Sequence, residues 1–170
     1  TQVVSDKSHL SKIDAGLNSF DVKIMNISNV GKANFTESLL ASKHTATTMA
    51  TDCYTLMFDS CDNITVAPEL PAMNLASGCY YMMFQGCTGL TTAPVLPALY
   101  LVNYCYGGMF AECTNLNSVT VHATYKPLSN CTYNWLYDVA ASGTVHNLGS
   151  VTYDTNSSSG IPSGWTEVNN

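Results

Sequence analysis

Charge is what this sequence has least of. Charged side chains make up 11% of its 170 residues, less than half the usual share. Six basic residues stand against twelve acidic ones, the net charge is −6, and no Lys/Arg cluster exists. Without such a cluster the counter-ion release that drives nucleic-acid binding has no source, so nucleic acid is excluded as a partner. Long apolar runs are missing too. None approaches the ~20 residues that cross a bilayer, which excludes insertion into a membrane. Residues 1–20 lack the basic start and apolar centre of a secretory signal, so export would need another segment or another route.

Reactive constellations are equally scarce. The histidines are His9, His44, His122 and His146, and none sits with a Ser or Cys in a nucleophile motif. No C-x₂-C pair or neighbouring His completes a zinc set, no Asp-rich loop suits calcium, and no carboxylate pair repeats. The sequence therefore points to no catalytic residue, no metal and no cofactor.

What the chain does have is repetition. Cys53-Tyr54-x-x-Met57-Phe58-x-x-Cys61 returns as Cys79-Tyr80-x-x-Met83-Phe84-x-x-Cys87 and as Cys105-Tyr106-x-x-Met109-Phe110-x-x-Cys113, each 26 residues on. The link Ala67-Pro68-Glu69-Leu70-Pro71-Ala72 returns as Ala93-Pro94-Val95-Leu96-Pro97-Ala98. A fixed period of this size, carried by apolar and turn residues alike, signals a stacked-repeat architecture. The seven cysteines fall into two columns, Cys53, Cys79, Cys105 and Cys131 in one, Cys61, Cys87 and Cys113 in the other. Their odd number and in-register placement favour small buried thiols over a disulfide framework.

Within a repeat, Cys79, Met83 and Cys87 fall at i, i+4 and i+8 with Tyr80 and Phe84 beside them, the stripe of a two-turn helix. Thr51, Ser77, Asn103 and Ser129, two residues before each first Cys, are expected as its N-caps. Ile64, Leu90 and Leu116 each open a short strand, cut short by prolines that cannot donate ladder bonds. The fold expected is an α/β repeat solenoid of short parallel strands on one face and short helices on the other.

The chain divides into an N-terminal cap or attachment segment (residues 1–40), a solenoid (41–125), and a final partial repeat with a C-terminal cap (126–170). In the third copy Val119–Thr124 replaces the proline link, and His122 takes the column of Leu70 and Leu96. Trp135-Leu136 then replaces Met-Phe, Gly143–Val145 and Val151–Tyr153 read as cap strands, and Trp165 returns an aromatic to seal the core.

The repeat closely resembles the BspA-like leucine-rich-repeat surface proteins of gut Bacteroidales and their phages. The resemblance covers residues 41–166, the ending from Trp135 to Trp165 included. It implies a right-handed leucine-rich-repeat solenoid displayed outside the cell, on a bacterial or virion surface, and binding other molecules. Members of that group are associated with adhesion to host matrix proteins and to other bacteria, and the family shares no catalytic residues.

Comparing the copies with one another singles out positions free of the stack. Tyr81 replaces Thr55 and Gly107, Tyr100 replaces Asn74, and Tyr104 replaces Asp52 and Gly78. Tyrosine combines a large rigid contact area with a polar tip, so these three are the candidate ligand-binding residues. They are expected together on one flank. Tyr54, Tyr80 and Tyr106 form a constant column and are assigned to packing. The function expected is a non-enzymatic binding or adhesion module for a host or bacterial surface glycan or protein. The alternative is a structural spacer or assembly subunit, docking or oligomerising through residues 1–40, where unpaired strand edges would accept a partner.

Overall fold

A computed structural model describes residues 49–155 and 158–169. The predicted N-terminal segment, residues 1–40, lies outside them. The segments read as helices are not helical. Among the described residues the only helical element is a single 3₁₀ turn, Ser129–Thr132.

What replaces the helix is a ladder of successive tight turns. Alternate amides close turns three residues back: Cys53 to Ala50, Thr55 to Asp52, Met57 to Tyr54, Asp59 to Leu56 and Cys61 to Phe58. The intervening amides, of Asp52, Tyr54, Leu56, Phe58 and Ser60, cross to the carbonyls of Ser77, Cys79, Tyr81, Met83 and Gln85 at 2.7–3.0 Å. The pattern recurs from Gly78–Gly86 to Asn103–Ala111, and from Tyr106–Glu112 to Cys131–Tyr137. In the first two coils the amides of the ladder thus find acceptors alternately within the coil and in the next. An α-helix would have sent all of them four residues back.

The backbone marks the same period. Residues 52, 56 and 60, then 78, 82 and 86, then 104, 108 and 112, and finally 134 and 138, all have positive φ. A left-handed residue in third place is what a type II turn demands. The inward residues follow it as pairs four apart: Met57-Phe58, Cys79-Tyr80, Met83-Phe84, Cys105-Tyr106 and Met109-Phe110 are all buried. The predicted caps serve a different end. Ser77 Oγ donates 3.2 Å across to the Asn103 carbonyl of the next coil, and the Asn103 side chain accepts from Asn130 Nδ2.

The core is a set of columns. Phe58, Phe84 and Phe110 stack at 5.4 and 5.8 Å between centroids, and Tyr54, Tyr80 and Tyr106 at 5.7 and 6.2 Å. Each fully buried ring contributes on the order of 1.5–3 kcal/mol from burial alone. The cysteines are thiols, all but the half-buried Cys53 fully buried. Cys87 and Cys113 donate their S–H, at 3.0 Å, to the carbonyls of Phe58 and Phe84 one coil earlier.

On the other side the chain is extended. Strand β1 (Ser118–Val121) pairs in parallel with β2 (Gly143–Asn147), and β2 with β3 (Trp165–Asn169). On this side the second coil joins the third through isolated bridges, Thr92 to Ser118 and Leu96 to Val121 within β1 and Tyr100 to Tyr125 beyond it. Pro94 and Pro97 cannot donate, so no full strand forms there. The register also slips by one residue between Thr92 and Leu96. Val121, fully buried, therefore holds the column of Leu96, and the half-buried His122 does not.

Of the expected cap strands, Gly143–Val145 lies within β2, one more rung of the stack. Val151–Tyr153 is not a strand. Its Tyr153 ring instead stacks 5.4 Å from Trp135, under the Lys126 ammonium. Trp135 donates to the Gly160 carbonyl and Trp165 to that of Ala140, each at 2.7 Å, so both indoles seal the end of the core.

Candidate ligand-binding surface

The three tyrosines selected from the sequence enter two ring pairs. Tyr81 and Tyr104, from adjacent coils, meet edge to face with centroids 5.7 Å apart and planes at 86°. Tyr100 pairs with another tyrosine. Its bridge to Tyr125 sets those two rings 6.2 Å apart at 57°, where the extended side ends. Of the three expected together, Tyr81 and Tyr104 are in ring contact, and Tyr100 has its ring contact with Tyr125.

Gly107 makes the Tyr81–Tyr104 pair possible. A Cβ there would stand 3.0 Å from Tyr104 Cδ1 and 3.0 Å from Tyr81 Cδ2. Both rings lean over the bare backbone of this glycine and bury it. Tyr104 itself sits at φ +52°, a left-handed position of the ladder that throws its side chain outward. T-shaped packing of this kind adds roughly 0.5–1.5 kcal/mol beyond burial and fixes both rings before any ligand arrives.

The exposed aromatics extend further than the sequence reading reached. Tyr133, 46% exposed, continues the column of Tyr81 and Gly107, and Tyr137, 59% exposed, lies four residues on. Comparing the fourth coil with the other three would have found both. Tyr125 was hidden by the one-residue slip in register. A concavity of ≈290 Å³ lies along the proline links, lined by Glu69, Leu70, Pro71, Pro94, Val95 and Pro97.

Reactive groups lie inside rather than at these surfaces. Burial pushes the thiols of Cys105 and Cys113 up to about 12, and those of Cys79, Cys87 and Cys131 upward as well. Burial, with the neighbouring Cys53 and Cys79, raises the Tyr54 hydroxyl to about 12. Thiols held protonated in this way are poor nucleophiles. Among the described residues no group of three His, Cys, Asp or Glu is placed to hold a metal ion, and no helix is long and apolar enough to cross a membrane.

Neither a protein-family model, nor a curated protein, nor a solved structure matches this chain.

Proposed function

We propose that this protein is a non-enzymatic binding module of the BspA-like leucine-rich-repeat kind, displayed on a bacterial cell or virion surface. Its ligand is a glycan or a protein on another cell or on host matrix. The observation that carries this reading is the perpendicular Tyr81–Tyr104 pair over Gly107, two rigid amphipathic rings set on a stack that holds them in place. Pre-organised aromatic contact area lowers the entropic cost of association and is typical of recognition surfaces. The stacked coils support a repeat solenoid built with turn ladders in place of helices.

The test is a screen of the purified protein on arrays of bacterial and host glycans and matrix proteins, beside a Tyr81→Ala/Tyr104→Ala variant. Saturable binding that the variant loses, with its thermal midpoint retained, supports the reading. Binding that survives in the variant moves the site away from this pair. No binding to any surface favours the spacer or assembly-subunit reading, which the regular coil-to-coil ladder also suits.

A further inference from the structure

The turn ladder stops inside its fourth coil, and the last residues of the ladder line a cavity. In the third coil Gly108, Phe110 and Glu112 donate to the carbonyls of Tyr133, Trp135 and Tyr137. In the fourth, Asn134 still donates to the Ser158 carbonyl, but the next carbonyl along, that of Gly160, accepts from the Trp135 indole N–H. Pro162 follows, and the chain turns into β3. Among the described residues no backbone carbonyl accepts from the amides of Leu136 and Asp138, equivalent to those of Phe110 and Glu112. Beside them lies a cavity of ≈370 Å³, which Asn134, Tyr137, Ser158 and Pro162 also line.

The chemistry of this cavity is mixed in a particular way. Two backbone amides two residues apart call for acceptor oxygens. The Asp138 carboxylate, exposed at φ +52°, and the Asn134 carboxamide, at φ +54°, call for donors. Tyr137 supplies a flat apolar wall. Hydroxyl groups both donate and accept, and a pyranose carries them around a ring whose face is apolar enough to lie on an aromatic plane. A carboxylate, sulfate or phosphate would meet Asp138 in a protein of net charge −6. An extended peptide could satisfy the amides, but only two are open, and its side chains would have no further coil to rest on.

We infer that this end of the ladder is a binding site for a neutral saccharide. The Leu136 and Asp138 amides and the Asp138 carboxylate hold its hydroxyls, and Tyr137 lies against its face. The inference rests on the binding-module reading but uses none of the residues of the Tyr81–Tyr104 pair, so either can fail without the other.

The experiment is an amide-resolved NMR titration of the whole chain. The probes are methyl glycosides of glucose, galactose, mannose and N-acetylglucosamine and their disaccharides, with sialyllactose and an extended tetrapeptide as contrasts. At least one neutral saccharide should move the Leu136 and Asp138 amides saturably. Tyr137→Ala and Asp138→Asn, both at exposed positions, should weaken that binding about tenfold or more, while Tyr81→Ala leaves it unchanged. Unmoved spectra for the first three coils would verify that the variants are folded. The inference is overturned if no neutral saccharide moves these two amides, if only sialyllactose or the peptide does, or if both variants bind as the parent does.

Discussion

Glu112 shows at one residue how this backbone differs from a helix. Its φ is +63°, and its exposed side chain accepts a 3.4 Å hydrogen bond from Gln85 Nε2. A left-handed non-glycine residue costs roughly 1–2 kcal/mol, offset in part by the roughly 0.5–1 kcal/mol of extra chain entropy that glycine loses on folding. Glu112→Gly should thus leave stability unchanged or raise it by up to about 1 kcal/mol, and the β-branched Glu112→Val should lower it by about as much or more. Chemical denaturation of the two variants reads the order directly. A helix interior would reverse it, with Gly the worse residue by about 0.5–1 kcal/mol.

The thiols give a second expectation at this scale. Cys105 and Cys113 are raised from 9.0 to about 12 by burial, so the folded state holds their protons where the unfolded chain releases them. The stabilisation is complete below pH 9 and declines as the pH rises from 9 towards 12. Denaturation midpoints across that window should fall. At about pH 8 an alkylating reagent should reach Cys53 first and leave the buried cysteines unmodified until unfolding.

At the scale of the element, the sequence showed that Cys79-Tyr80, Met83-Phe84 and Cys87 face inward but not which backbone puts them there. Over nine residues, pairs repeating every four fit a helical stripe almost as well as a turn ladder. The distinguishing signal lay in the outward columns. Asp52 and Gly78 share one, Gly108 and Asn134 a second, Gly86 and Asp138 a third. Glycine, Asn and Asp at fixed spacing are what repeated left-handed turns select, and glycines at 78 and 86 would have weakened a helix. The parallel strand at Ser118–Val121 was legible because its amides are free of proline. The slip that moved Val121 into the core was not, because no local residue pattern announces a register change.

The end of the stack depends on one element-level contact, the bond from Trp135 Nε1 to the Gly160 carbonyl inside a fully buried site. Trp135→Phe would leave that carbonyl unpaired and part of the space empty. It should cost about 2–4 kcal/mol in thermal or chemical unfolding.

Across the whole molecule, the stack matters because it brings residues 23 positions apart in the chain into one surface pair, Tyr81 with Tyr104. The sequence named both but not the Tyr100–Tyr125 contact, since partners across coils depend on the register of the entire coil. Gly107→Ala tests the geometry separately from the side chains. Its added Cβ would stand 3.0 Å from each ring, so it should part the rings and weaken ligand binding while shifting the thermal midpoint little.

The most direct measurement is a double-mutant cycle on the affinity for whichever array ligand binds best, with Tyr81→Ala, Tyr104→Ala and their combination, and Tyr100→Ala as reference. The account predicts about a tenfold loss for each of the first two. It also predicts a combined loss that departs from their product by roughly 0.5–3 kcal/mol, because the rings act as one surface, while Tyr100→Ala combines additively with either. Full affinity in both single variants, or strict additivity between them, would contradict it.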